Sequence, residues 1–250
     1  MLRKSPNRPE QQLTVFSEMT YMERLAVTGA SGKTGWRVVD EALKRQMPVR
    51  LIVRPDSVLP QPLADAVGDG RLEVERVELG AAKALQKSLE GCTALVIATG
   101  ARPSVNLAAP LQVDAIGVQA QVKACEAVGL KRVILVSSLC AGRWLHPLNL
   151  FGLILVWKRI GERSLQNSSL DWTVIRPGGL SEDDSRAYKE GVLFSKADEQ
   201  ESNSIPRRLV AQVCIDALSE PDAGGRIIEI TSSNDRPQSS LSSWLQLQTA

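Results

Sequence analysis

The chain has 250 residues, with 30 Lys and Arg against 28 Asp and Glu and a formal net charge of +2. So small an excess excludes an electrostatic grip on nucleic acid or on an acidic membrane. At 43% hydrophobic and 23% charged residues the composition is that of an ordinary folded domain, and the length suits one large α/β domain or two small ones.

Residues 1–22 carry scattered Arg, Lys, Glu and Pro without an apolar core of signal-peptide type, so a loose arm is expected, with Met19 or Met22 as alternative starts. From Glu23 onward, short Val- and Ile-rich runs alternate with stretches of helical period, the pattern of a parallel sheet covered on both faces. The expected strands are Arg24 to Thr28, Val49 to Val53, Leu72 to Val77, Ala94 to Ala98, Arg132 to Val136, Thr173 to Arg176 and Ile227 to Ile230. Helices are expected at Trp36 to Arg45, with Val38, Val39, Ala42 and Leu43 in one stripe, at Ala82 to Glu90 and at Val113 to Val128. The polar stretch from Gly178 to Asn203 reads as a substrate-side insertion or lid, and a last helix starts at Pro206. The expected fold is therefore α/β, a Rossmann-type doubly wound parallel sheet. It forms a single domain over 23–231 with an insertion at about 178–205, followed by a Ser- and Gln-rich tail, 232–250, anchored at Trp244-Leu245.

The most informative stretch is Leu25-Ala-Val-Thr-Gly-Ala-Ser-Gly-Lys-Thr-Gly35, a buried strand running into a glycine loop and a helix. Gly29 lets the chain turn sharply, Gly32 lets backbone approach a diphosphate, and Gly35 lets the helix pack closely. The helix N-terminus then offers free N–H groups to phosphates, so Gly29, Ser31, Gly32, Lys33, Thr34 and Gly35 are candidate dinucleotide-binding residues. A triphosphatase P-loop would need glycine where Val27 stands, and Lys33 occupies the place of the last glycine of a nucleophile elbow, so ATP hydrolysis and a Ser31 hydrolase are excluded.

The second strand ends Val49-Arg-Leu-Ile-Val-Arg54, with Arg54 where an NAD-selecting carboxylate would stand. A guanidinium suits a phosphate, and Lys33 and Arg37 add positive charge, so NADP(H) is expected over NAD(H) despite nearby Asp56. The four cysteines, at 92, 125, 140 and 214, have no close pairing and the only histidine is His146, so a Cys/His metal cluster has almost no material and reduced, cytosol-like surroundings are expected. The longest relevant apolar run, Leu150 to Trp157, is far short of the roughly 20 residues of a membrane span.

The Thr-Gly-Ala-Ser-Gly-Lys-Thr-Gly loop at 28–35, Leu-Ile-Val-Arg at 51–54, Val-Ile-Ala-Thr-Gly at 96–100, Val-Ile-Leu-Val-Ser-Ser at 133–138 and Asp-Trp-Thr-Val-Ile-Arg-Pro-Gly-Gly at 171–179 together match a family. From 23 to about 231 the chain resembles the atypical short-chain dehydrogenase/reductases of the NAD(P)H-binding, NmrA-like group, and it looks closest to cyanobacterial and plastid members. The resemblance implies that Glu78 and Leu79 hold the adenine, that Ala98, Thr99 and Gly100 line the cofactor, and that Pro177 lies against the nicotinamide. A cytoplasmic location follows, stroma-like in a plastid, with peripheral membrane association as a further expectation.

Orthodox members pair a Tyr with a Lys four residues on, the Lys lowering the phenol pKa for proton transfer. Lys158 stands at the place of that Lys on the helix after the fifth strand, but Ile154 stands where the Tyr would be, and the only tyrosines are Tyr21 and Tyr188. Ser138, or Ser137, falls near the usual catalytic Ser, although another register puts Leu139 there. Lys158 and Ser138 are thus the candidate catalytic residues, with Lys158 also a ribose ligand, and Tyr188 is a remote substitute acid. The nearly all-apolar segment Leu148 to Trp157 is expected to meet core or a second copy, or else an apolar or aromatic substrate, a partner protein or a membrane surface. His146 reads as a loop hydrogen bonder. The expected function is an NADPH-dependent reductase whose acceptor, a flavin, quinone or tetrapyrrole, needs no Tyr acid. The alternative is a non-enzymatic NADP(H)-binding protein for redox sensing or assembly. Nucleotide-sugar chemistry needs the absent Tyr.

Overall fold

The computed structural model describes residues 24–67, 72–101, 108–143, 146–150, 152–235 and 239–249. The expected N-terminal arm, Tyr21 and Phe151 lie outside the described residues. In chain order the strands are β1 (Arg24–Thr28), β2 (Val49–Val53), β3 (Leu72–Arg76), β4 (Cys92–Ile97), β5 (Arg132–Val136), β6 (Asp171–Pro177), β7 (Gly179–Ser181), β8 (Gly191–Ser195), β9 (Ser204–Pro206) and β10 (Arg226–Ser233). The helices are α1 (Gly35–Lys44), α2 (Gln61–Ala66), α3 (Ala82–Leu89), α4 (Gly117–Val128), α5 (Ile154–Gln166), α6 (Arg207–Ser219) and α7 (Leu241–Thr249).

Eight strands form one sheet in the order β3-β2-β1-β4-β5-β6-β10-β8, parallel except for β8, which runs antiparallel to β10. This is the doubly wound architecture expected from the alternation of strands and helices, and each of the seven expected strands lies in it. The strands are apolar throughout because both faces are covered. One core layer joins Leu25, Val27 and Leu51 to Val38, Val39 and Ala42 of α1 and Val210 and Val213 of α6. The other joins Ala26, Ile52 and Leu95 to Leu85 and Leu89 of α3 and Val118 and Val122 of α4. At about 1.5–3 kcal/mol for each fully buried aliphatic side chain, these layers dominate the stability of the fold.

Three segments differ from their sequence reading. The stretch Gly178 to Asn203 is more than a polar lid: Val192 and Phe194 alternate inward and make β8 the sheet edge, while β7 pairs with β9 as a separate parallel ribbon. The expected helix from Val113 starts as a π-helical turn, Leu111–Ile116, before α4, with Asp114 buried. The apolar segment from Leu148 is not one continuous helix: it starts as a short 3-10 turn, Pro147–Leu150, and α5 begins only at Ile154 after left-handed Leu153. The Asn149 side chain accepts the Leu155 N–H at 3.0 Å, which satisfies one of the free donors at that late start. The segment read as a tail carries α7, whose Leu245 is buried and whose Trp244 stacks on Phe194 at 5.9 Å, as its anchoring residues led one to expect. Among the described residues no helix is long and apolar enough to cross a membrane and no group of residues is suited to a metal ion. All four cysteines are free and buried.

Candidate functional site

Strand order reverses between β1 and β4, and the crevice outside their carboxyl ends is where open α/β sheets bind ligands. There the chain leaves β1 through Gly29, in the left-handed region at φ 71°, where a Cβ would stand 2.6 Å from the Ala98 carbonyl oxygen. Only glycine fits so close to the end of β4. The Gly32 N–H donates to the Gly29 carbonyl at 2.8 Å and closes the turn. Gly35 is packed against that same carbonyl, since its Cβ would lie 2.2 Å from the oxygen, and this seats the first turn of α1 directly on the loop. Behind the loop, the buried Thr28 hydroxyl donates to Gln121 of α4 at 2.6 Å and ties the end of β1 to its covering helix.

The loop opens onto a cleft of about 310 Å³, a size within the ordinary range for small-ligand sites. Of the residues expected to hold a dinucleotide, the fold brings Gly29, Ser31, Gly32, Arg54, Leu79, Ala98, Thr99 and Gly100 to its wall. Ser57, Val77 and Val113 also line it. Among the described residues the buried Thr99 hydroxyl oxygen has no hydrogen-bond partner, as expected of a polar group that faces the place of a polar ligand. The glycine cradle, the free hydroxyl and the basic rim at Arg54 all fit a dinucleotide.

Other candidates sit elsewhere. Glu78 is exposed and absent from the described wall, because the alternation at the end of β3 turns Val77 and Leu79 to the cleft and Glu78 away. Lys33 meets Glu182 of the insertion in an exposed ion pair, which holds the Glu182 carboxyl below its usual range. Arg37 is buried: its Nε bonds Asp184 at 2.8 Å, its Nη1 bonds the Lys33 carbonyl at 2.6 Å, and it stacks on Trp36. Its charge therefore fastens the insertion to α1 instead of facing the cleft. Thr34 and Gly35 form the helix start behind the wall. Pro177 is buried at the end of β6, where its carbonyl accepts the Leu139 N–H at 2.8 Å, and Ser138 is half-buried beside it. Tyr188 is 80% exposed and lines a second cavity, with Phe194, Leu209 and Leu241.

Lys158 has a partner that sequence reasoning missed. Its Nζ bonds Asp114 Oδ1 at 2.8 Å, with the Asp114 side chain 2% exposed. The other Asp114 oxygen accepts the Ala101 N–H at 3.3 Å. A Cβ placed on Gly100 would lie 3.9 Å from both Lys158 Nζ and Asp114 Oδ1, so the pair stands at the Gly100 end of the cleft. Gly161 makes this possible, because its Cβ would come 2.2 Å from the Asp114 carbonyl oxygen. Without that Cβ, α5 packs backbone to backbone on the π-helical turn. The available signal was a lone carboxylate inside the apolar stripe Val113-Asp-Ala-Ile116.

The apolar segment that leads into α5 divides. Leu155 is buried with Leu139 and Cys140, Ile154 is half-buried beside them, and Leu150 and Leu153 are exposed at 84% and 47%.

A family model for NAD(P)H-binding proteins matches residues 29–221. A chloroplastic protein of Arabidopsis thaliana, At2g34460, is 32% identical over 87% of this chain and 80% of its own length. The chloroplastic protein TIC 62 of Pisum sativum is 30% identical over 84% of this chain, which spans only 43% of that longer protein. Sanguinarine reductase of Eschscholzia californica is 28% identical over 82% of this chain and 88% of its own. Among solved structures, one from Bacillus halodurans described as an NAD-dependent epimerase/dehydratase superposes with a TM-score of 0.76 at 24% identity, covering 90% of this chain and 99% of that one. The ChuY anaerobilin reductase of Escherichia coli O157:H7 superposes with a TM-score of 0.65 at 21% identity, covering 86% and 99%. At those identities the superpositions speak for the fold alone.

Proposed function

Because the chain belongs to the NAD(P)H-binding family, we propose that it is an atypical short-chain dehydrogenase/reductase that binds NADP(H) and reduces an apolar or aromatic acceptor without a tyrosine acid. The observation that carries this reading is one cleft whose wall includes the glycine loop, Arg54 and Gly100, with the Lys158–Asp114 pair beside Gly100. When bound, the dinucleotide supplies hydride-transfer chemistry. The chain supplies the rest. Backbone N–H groups of the glycine loop would hold the diphosphate, Arg54 the 2′-phosphate, and Lys158, held by Asp114, the nicotinamide ribose. Ile154 stands one helical turn before Lys158 and has no proton to give, so at the usual tyrosine position solvent would have to supply the proton. Exposed Leu150 and Leu153, in the segment leading into the same helix, offer an apolar approach for the acceptor. A sanguinarine reductase among the relatives supports a small-molecule acceptor, and flavins, quinones and tetrapyrroles are the classes of choice. The chloroplastic relatives support a stroma-like compartment.

NADPH is expected to bind at least about tenfold more tightly than NADH, since a charge-assisted hydrogen bond contributes about 1.5–3 kcal/mol. Equal affinities in titration calorimetry would remove the NADP assignment. Lys158→Ala is expected to raise the dissociation constant of NADPH roughly tenfold without a matching loss of turnover at saturation, because a group that grips the ribose equally in ground and transition states acts on binding alone. Oxidation of NADPH with flavins, quinones and bilins tests the reductase directly. A second reading, a non-enzymatic NADP(H)-binding assembly protein, is favoured by the same exposed Leu150 and Leu153 and by the TIC 62 relatives, and it predicts no turnover with any of these acceptors.

A further inference from the structure

We infer that Arg76, on a different strand from Arg54, is the positioning residue that makes the cleft selective for a 2′-phosphorylated adenosine. The inference rests on the NADP(H) reading above. Residues 54–57 form a tight turn closed by the Ser57 N–H donating to the Arg54 carbonyl at 3.0 Å. Arg76 is the register partner of Val53, and its Nη1 donates to the carbonyls of both Pro55 and Ser57 at 2.9 Å each. These two bonds hold the turn from outside the cleft, for Arg76 itself is not among the residues that line it.

The turn so held carries two of the groups a phosphate would meet. Ser57 Oγ faces Ser31 Oγ of the glycine loop at 3.4 Å, and both residues line the cleft beside Arg54. Among the described residues Arg54 has a loose charged neighbour in Asp56, at 3.8 Å with both side chains mostly exposed. An exposed pair of that kind contributes little, so the guanidinium is free to turn to a dianion. Two hydroxyls and a guanidinium converging from two loops provide the donors that a phosphate monoester accepts and a bare ribose hydroxyl does not need. Arg76 adds a second positive charge behind the turn that carries Arg54.

The test uses the full chain with adenosine 2′,5′-bisphosphate and AMP as probes, titrated by calorimetry. The wild type is expected to prefer the bisphosphate, and Arg76→Ala is expected to reduce that preference about tenfold while AMP binds as before. Arg76 lies on the exposed edge strand, and an unchanged melting temperature accompanies the expected result. Ser57→Ala in the Arg76→Ala background should weaken the bisphosphate little further, because the turn is already released. Independent, multiplying effects of the two substitutions would mean that Arg76 does not act through the turn, and would overturn the inference. Equal loss of AMP and bisphosphate would do the same, by making Arg76 a general support of the cleft. A wild-type preference that survives Arg76→Ala overturns this inference alone, whereas a wild type without any preference overturns the NADP(H) reading with it.

Discussion

Gly32→Val should weaken NADPH and NADH alike by at least about a hundredfold, since backbone N–H groups must reach the diphosphate and the two methyl groups of valine would stand where it approaches. Gly32 lines the cleft, and its Cβ would lie 3.1 Å from the Gly29 carbonyl oxygen, a contact that small shifts can relieve. Its backbone is also outside the left-handed region, so the variant should fold, with a circular dichroism spectrum and melting temperature close to the wild type. Gly29→Val is a different case. At φ 71° and 2.6 Å from the Ala98 carbonyl it would strain the sheet itself, and lost binding there would say nothing about phosphates. Binding retained by folded Gly32→Val would move the dinucleotide to another part of the molecule.

Arg176→Met is expected to cost about 3–5 kcal/mol at neutral pH and to lower the melting temperature by roughly 10 °C, because it strands buried carboxylates. Arg176 is fully buried and bonds Glu162 of α5 through Nε and Nη2 at 2.9 and 2.7 Å, with Glu229 of β10 at 3.4 Å and Asp198 at 2.9 Å. Glu229 in turn accepts the N–H groups of Asp198, Glu199 and Gln200, so this cluster pins the end of the insertion. Burial alone would raise the Glu162 carboxyl, yet the hydrogen bonds and charge of Arg176 hold it below the usual 4.5. A carboxylate lowered in this way contributes stability above the unfolded value and loses it as pH falls through the folded one. Without Arg176, the charge left to oppose burial at Glu162 is that of the part-exposed Arg159 at 3.0 Å, so the folded value moves upward. The cost of the substitution should then be largest near pH 7 and shrink toward pH 5, where a neutral Glu162 is tolerated. Denaturant titrations at the two pH values check the sign, and a cost independent of pH would show that Glu162 does not carry the effect.

The insertion therefore has two differently fastened halves. Its start meets the glycine loop and α1 through Lys33–Glu182 and Arg37–Asp184, while its end is held by the Arg176 cluster. Neither fastening is visible in a stretch whose polar composition reads as a lid.

By itself the sequence determined the seven parallel strands of the sheet, the glycine loop and the place of Lys158. Each is local information: a strand buried on both faces is written as a short apolar run, and a strand-to-helix turn around a diphosphate requires glycines at close spacing. Tertiary structure decided which charges face the cleft. Lys158 finds Asp114 across 44 residues of chain and Arg37 finds Asp184 across 147, so one basic residue is placed at the cleft and the other is withdrawn from it. Arg76 reaches the carbonyls that shape the Arg54 turn only because β3 lies beside β2. Likewise, the alternation of Gly178 to Asn203 becomes a strand only when β10 offers an open edge. The direction of a long charged side chain is set by the partners that folding brings to it, and those partners have no fixed spacing along the chain.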